Sequence, residues 1–384
     1  MRTMSPIYEG SRPTCQGPDP APGAEQAAAI HARARGTIRN VAGGRPGHTV
    51  APRSPAPGGA GRGSLDVHFG VWIRPRDPLR TRSTGRVVQS RRRAGNSLSR
   101  RSSCATLPAH SKRVAIMELN ARVLARQEVA PGLIILRVAP EGWALPPFEP
   151  GQFAVLGLPG AAPRVPEAEP ENPPPPPHQL IRRAYSIASS SRQHEYLEFY
   201  LALVRTGALT PRLFRLHVGD RLWLGPRFSG MFTLRHVPAD AHLVLVATGT
   251  GLAPYMSMLR THLAESAHRR TAVIHGARYP SDLGYRNELE DLARRHPHLT
   301  YLPVVSRPQG AVPPWSGAVG HVQDIWRAGL IARAWGFPPE PAHTHVFLCG
   351  NPQMIEDMVR LLEGEGFREH HKDAPGQIHT ERYW

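Results

Sequence analysis

From residue 243 onward the chain alternates short aliphatic runs with stretches of helical periodicity, and few folds accommodate that alternation. Residues 243–247, 271–276, 299–305 and 344–348 read as strands of the kind buried on both faces. A Gly-rich turn and an apolar-periodic stretch ending near Leu263 follow the first of them, and residues 283–295, 319–334 and 352–363 read as further helices. Strand–helix alternation at this spacing specifies a doubly wound parallel sheet. The preceding segment has a different period. Residues 119–129 and 133–139 flank the turn Pro131-Gly132, and residues 152–158, 183–189, 196–204 and 221–224 add short strands, which suits an antiparallel sandwich or barrel. The two patterns meet near residue 237, so we expect an all-β domain over 117–237 and an α/β domain over 238–384. Residues 159–181 form an insertion with five consecutive prolines, Pro173 to Pro177, and are expected to make an exposed, stiff loop.

The net charge of +17 would suit a nucleic-acid binder, but its distribution argues against one. Residues 1–116 hold 20 basic and 5 acidic residues, while the remainder holds 27 and 25. The first third is also rich in Pro, Gly, Ser and Ala without apolar periodicity, and reads as a disordered extension. A run such as Arg91-Arg92-Arg93 could touch nucleic acid or an anionic membrane, but a solvated tail is its plain reading, and a targeting peptide is a second reading of the segment. Met117 is the expected functional start, with residues 1–116 untranslated or dispensable. Only Lys112 and Lys372 are lysines, a bias better attributed to coding than to arginine chemistry. Three scattered cysteines, Cys15, Cys104 and Cys349, make neither a disulfide framework nor an iron–sulfur site, and fit a reducing, cytoplasmic compartment. No apolar run reaches the roughly 18 residues of a membrane span, and no metal-ligand spacing is found among the 20 histidines.

Four local patterns carry possible chemistry. Thr248-Gly249-Thr250-Gly251-Leu252-Ala253-Pro254 lies between a buried strand and a helix, where free N–H groups and the helix dipole can hold a phosphate; an ordinary tight connection is the alternative. Arg278 and Arg307 closely follow successive strands, at the edge where open α/β sheets bind ligands. Two guanidiniums there favour a 2′-phosphate, though each could equally be a solvated loop residue. Arg182-Arg183-Ala184-Tyr185-Ser186 heads a strand, where Arg could pair a pyrophosphate, Tyr stack on a flat ring and Ser donate to a ring nitrogen, but on its own it reads as ordinary β chemistry. Cys349-Gly350-Asn351-Pro352 opens a loop at the end of the last clear aliphatic strand, and Cys349 is by itself a small buried hydrophobe.

Taken in order, Arg183-Ala184-Tyr185-Ser186, Gly207-Ala208-Leu209-Thr210-Pro211, the 248–254 turn, Gly276-Ala277-Arg278, Val304-Val305-Ser306-Arg307, Leu348-Cys349-Gly350-Asn351-Pro352-Gln353-Met354 and Glu381-Arg382-Tyr383-Trp384 resemble the ferredoxin/flavodoxin–NADP⁺ reductase family of bacterial type, over about residues 117–384. The resemblance implies an antiparallel Greek-key barrel holding FAD, followed by the α/β domain holding NADP(H). It implies that Tyr185 stacks on the isoalloxazine, Arg183 with Ala184 binds the pyrophosphate side, and Ser186 lies near the flavin N5. It further implies that Gly207, Leu209 and Thr210 support the diphosphate, and that Thr250 and Gly251 line the cofactor edge. Arg278 and Arg307 would hold the 2′-phosphate, with Cys349, Gly350 and Asn351 near the nicotinamide, Tyr383 covering the flavin and Trp384 near the adenine end of FAD. Ser186, Cys349 and Tyr383 are thus the candidate catalytic residues. His321 stands where family members often place a third Arg, which weakens the expected NADP preference. The implied enzyme is a monomer that passes electrons to a separate ferredoxin or flavodoxin, with no nucleic-acid or membrane partner. The alternatives are the reductase component of an oxygenase, an NAD(P)H–flavin reductase, or a non-catalytic basic adaptor working through residues 1–116.

Overall fold

The computed structural model describes residues 118–382, so Met117, the N-terminal extension, Tyr383 and Trp384 lie outside the described residues. The first half contains β1 (Ala121–Ala130), β2 (Leu133–Pro140), β3 (Phe153–Pro159), β4 (Leu180–Ser186), β5 (Leu197–Ala202), the single-turn helix α1 (Thr210–Leu213) and β6 (Arg221–Leu224). These strands make one antiparallel six-stranded Greek-key barrel sheet in the order β4-β3-β6-β1-β2-β5. The ladder stops between β4 and β5, where the Ala188 N–H donates to the Glu198 carbonyl at 2.8 Å and bridges the two edges. The β1–β2 turn needs Gly132, whose φ of +80° disfavours other residues.

β2 is buried on nearly every residue rather than on alternate ones. Ile134, Leu136 and Val138 point into the barrel core, while Leu133 and Ile135 join a second apolar cluster shared with the following half of the chain. The same division holds on β5, where Phe199 and Leu201 face inward and Tyr200 outward. A strand covered on both faces loses its polar face.

The second half contains β7 (His242–Thr248), α2 (Ala253–His262), β8 (Thr271–Ala277), α3 (Arg286–Arg295), β9 (Leu299–Val305), β10 (Ala318–Val319), α4 (Val322–Arg327), α5 (Leu330–Trp335), β11 (Thr344–Gly350), α6 (Pro352–Gly364) and β12 (Ile378–Arg382). The strands form a parallel sheet in the order β10-β9-β8-β7-β11-β12. Leu243, Leu245 and Phe347 face α2, α3 and the barrel, whereas Val244, Val246 and Leu348 face α4 and α6. Both faces are therefore covered, as a doubly wound sheet requires. The single helix expected over 319–334 is instead a two-residue strand and two short helices. Gly329 sits between the helices at a φ of +63°, a left-handed turn that ends α4 and starts α5.

The proline-rich insertion is exposed along much of its length but does not hang free. Its Glu171 accepts two hydrogen bonds from the buried Arg212 of α1, at 2.7 and 2.9 Å. Arg212 also donates to the Gly160 and Ala208 carbonyls, both at 2.6 Å. The insertion is thereby fastened across the turn that begins at Gly207.

The two halves share more than apolar contact. Glu198 of β5 is 1% exposed. It accepts from Arg137 of β2 at 2.7 Å, from Arg260 of α2 at 2.7 Å and from the Tyr285 hydroxyl at 2.9 Å. Arg260 binds Glu288 of α3 through two further bonds of 2.7 Å and donates to the Ala188 carbonyl at 2.9 Å. Burial pushes the Glu198 carboxyl up, but the Arg260 charge and the bonds from Arg260, Arg137 and Tyr285 outweigh it and hold the group below its ordinary range.

Candidate functional site

β7, β11 and β12 run in parallel register, and the site is built where they end. Cys349 of β11 lies opposite Ala247 on one side and Glu381 on the other. After Thr248 the chain makes a 3-10 turn over Gly249–Leu252 and enters α2 with Pro254 in the first turn. Gly251 is required there, because a Cβ would fall 2.3 Å from the Cys349 carbonyl oxygen. Gly350 has a φ of +132°, and its Cβ would meet the Thr248 hydroxyl oxygen at 2.3 Å. That hydroxyl accepts the Asn351 N–H at 2.8 Å, and the Asn351 side chain caps α6 by accepting from the Met354 N–H at 3.2 Å. Gly251, Gly350 and Asn351 therefore keep two backbone segments in contact, with the partly exposed Thr250 beside them.

The barrel delivers Ser186 to the same place, at the last residue of β4. Its Oγ donates to Glu381 Oε2 at 3.3 Å, and Cys349 Sγ lies 3.8 Å from the same oxygen. Ser186 and Cys349 are buried at 6% and 0% exposure, so three separate chain segments converge on one carboxylate. Sequence reasoning placed Ser186 and Cys349 at the site but quoted Glu381 only within a terminal motif. Its position depends on the parallel pairing of β11 with β12, which no local pattern encodes.

Next along β4, Tyr185 packs against the barrel core, and its hydroxyl is buried without a hydrogen-bond partner among the described residues. Burial raises its pKa, which the Arg183 charge offsets in part, so the hydroxyl stays a neutral donor. An orphaned buried hydroxyl is costly unless a bound group satisfies it. Arg183 donates to the Arg182 carbonyl at 2.8 Å and has no carboxylate partner among the described residues, leaving most of its guanidinium for an anion. Ala184 pairs with Val155 of β3. In the other barrel motif Leu209 is buried, and the Thr210 hydroxyl is engaged with both the N–H and the carbonyl of Val204, at 3.0 and 3.2 Å. That turn is shaped internally, and the Gly207 N–H bonds the Val204 carbonyl at 2.9 Å.

At the ends of β8 and β9 the Arg307 N–H donates to the Arg278 carbonyl at 2.7 Å, which makes the two arginines neighbours. Both are exposed. Arg278 lies 3.6 Å from Asp282, whereas Arg307 has no carboxylate partner among the described residues. The Gly320 N–H donates to the Val305 carbonyl at 2.9 Å, bringing His321 to the same edge as the N-cap of α4.

A barrel whose β4 ends against the carboxyl edge of a parallel sheet, with a tyrosine hydroxyl that has no partner among the described residues and exposed arginines at the sheet edge, is the arrangement of a nucleotide-dependent flavoprotein oxidoreductase, and the comparisons place the chain in that class. Residues 245–360 match the family model described as an oxidoreductase NAD-binding domain. The chain is 34% identical over 240 residues to the flavodoxin/ferredoxin–NADP reductase of Escherichia coli K12, covering 62% of this chain and 88% of that protein. It is 36% identical over 242 residues to ferredoxin–NADP reductase B of Sorangium cellulosum, covering 62% and 85%. Among solved structures, a ferredoxin NADP⁺ reductase from Neisseria gonorrhoeae with bound FAD and NADP aligns with a TM-score of 0.57 at 25% identity, over 69% of this chain and 98% of that one. The chain belongs to the ferredoxin/flavodoxin–NADP⁺ reductase family, and it is an oxidoreductase. Among the described residues, no helix is long and apolar enough to cross a membrane.

Proposed function

We propose that this chain is an FAD-dependent ferredoxin– or flavodoxin–NADP⁺ reductase, with FAD held by residues 117–237 and NADP(H) by residues 238–384. The observation that carries the reading is the meeting of Ser186, Cys349 and Glu381 at the seam between barrel and sheet. The residues fit the cofactors. Tyr185 offers a neutral hydroxyl with no partner among the described residues, Arg183 a guanidinium whose one bond is to the Arg182 carbonyl, and Gly251 and Gly350 the close packing of the two turns that border the site. Bound FAD would supply a centre that takes hydride from NADPH and gives single electrons to a carrier protein.

The protein's part is to orient the reactants and exclude water. Ser186 and Cys349 form the wall of the reacting pocket, held by Glu381. Tyr185 covers a flat ring, Arg183 and Ala184 meet the pyrophosphate, and the Gly207, Leu209 and Thr210 turn supports it. Thr250, Gly251, Gly350 and Asn351 line the nicotinamide side. The carrier is a ferredoxin or flavodoxin, and the enzyme works as a cytoplasmic monomer. A visible spectrum of the purified chain tests the reading: flavin bands that bleach under NADPH are expected, and a colourless protein that stays so after FAD is added overturns it.

Arg278 and Arg307 read the 2′-phosphate. Each charge-assisted contact is worth roughly 1.5–3 kcal/mol. Arg307→Ala should therefore raise KM for NADPH about tenfold or more and leave NADH nearly unchanged. Steady-state kinetics with both nucleotides checks this, and equal losses with the two would show that Arg307 does not read the phosphate.

A further inference from the structure

Arg269 stands apart from the other arginines drawn into the interior. Arg212, 3% exposed, is neutralised by Glu171, and Arg260 by Glu198 and Glu288. Arg269 is 8% exposed, and its side chain has no hydrogen-bond or ion-pair partner among the described residues; its Nε is fully enclosed without an acceptor. Burial lowers its pKa, and no carboxylate is close enough to oppose the shift. A buried guanidinium in that state is costly unless an anion joins it.

The space beside it can admit one. Arg269 lines a cleft of about 460 Å³ together with Arg270, His242, His268, His298 and Phe337. That volume is within the range of small-ligand sites, about 300–1,000 Å³. The cleft lies at the amino-terminal ends of β7, β8 and β9, since His242 begins β7, Arg270 directly precedes β8 and His298 directly precedes β9. The cofactor edge is at the opposite end of the sheet, roughly 20 Å away along β8. The Arg270 N–H donates to His242 Nδ1 at 3.1 Å, so the other ring nitrogen of neutral His242 carries the proton and is a donor. Arg270 Nη1 reaches only the Pro297 carbonyl, at 3.3 Å. The Asp240 carboxylate acts on His242.

We propose that this cleft is a binding site for a small phosphorylated ligand, separate from the cofactor site, with Arg269 and Arg270 holding the phosphate. Two guanidiniums suit a doubly charged, multidentate oxyanion better than a single carboxylate. Phe337 and Pro297 give the cleft an apolar wall, which favours a phosphate ester over the free ion.

Thermal unfolding of the full chain tests the site, with inorganic phosphate or phenyl phosphate compared against chloride at equal ionic strength. Ligand at ten times its Kd should raise Tm by roughly 3–6 °C. Phenyl phosphate should reach that shift at lower concentration than inorganic phosphate; equal potency would overturn the ester assignment. Arg269→Met should lose the shift and melt in chloride at or above the wild-type temperature, because an unpaired buried charge has been removed. Arg270→Gln should weaken phosphate binding at least fivefold, read independently by 31P line broadening. The double variant Arg278→Ala/Arg307→Ala should keep most of the shift, losing only what phosphate at the cofactor edge contributes. The proposal fails if wild-type Tm is the same in phosphate and chloride, or if Arg269→Met melts lower in chloride or still responds. It also fails if the shift disappears with Arg278 and Arg307, which would place the phosphate at the cofactor edge.

Discussion

Arg260→Leu should lower the unfolding free energy by about 3 kcal/mol, the lower end of the range for removing one partner of a buried ion pair. The carboxylate left behind, Glu198, is 1% exposed and keeps only Arg137 and Tyr285. For a chain of this size the corresponding fall in Tm is roughly 6–12 °C. The effect has a pH signature. In the intact protein the Glu198 pKa is depressed, so its stabilisation is present at neutral pH and is lost as pH falls through the folded value. In the variant, burial is less opposed and the carboxyl moves up, so protonation relieves strain. The stability gap between the two proteins should be full at pH 7 and narrow on acidification through the carboxylate range. Urea titrations across that range check both size and sign, and a gap that widens in acid would show that the Arg260–Glu198 contact is not its source.

Ser186→Ala is expected to lower kcat for NADPH-dependent dye reduction about 10²-fold, a loss typical of misplaced reactants, with KM for NADPH within about twofold. The hydroxyl is buried at the end of β4 and donates to Glu381, so the substitution removes an oriented group and little packing. On the proposed reading it acts where hydride moves rather than where NADPH is held. Stopped-flow bleaching of the flavin separates the two, and a hydride-transfer rate within threefold of the parent would remove Ser186 from the reacting pocket.

The parallel sheet was legible because its strands are buried on both faces, which leaves short aliphatic runs that need no partner to be recognised. Residues 299–305 were read with the observed bounds of β9. The break at Gly329 was visible as a glycine but masked by helical periodicity on either side. What the sequence hid was pairing at a distance. Glu381 meets Cys349 only through the register of β12 on β11, and Arg260 meets Glu198 only after barrel and sheet have packed. The insertion was recognisable as proline-stiffened and exposed, yet the bond from Arg212 to Glu171 follows from where α1 is carried by the barrel. Local period finds elements, and charge partners across elements need the tertiary fold.

The carboxylate at the centre of the site rides on an edge strand. Among the described residues β12 has a full ladder on one side only, with β11, and on the other a single bridge from Ile378 to Glu369; edge elements open more readily than the strands between them. It also carries a stack of rings: His379 lies 4.3 Å from Phe347 and 4.7 Å from His370 between centroids, and its Nε2 is 2.9 Å from His345 Nδ1. Burial, then the neighbouring His345, His370 and His236, push the His379 pKa down to about 3. A histidine so depressed takes up its proton more readily when released, so from about pH 6.5 down toward 3 each step in acidity favours the peeled strand. Glu381 would leave with it while the inner strands stay paired. Amide protection factors, which discount the intrinsic slowing of exchange in acid, should then fall in β12 well ahead of those in β7 and β8. The reductase would be silenced by the excursion of five residues, reversibly, long before it denatured.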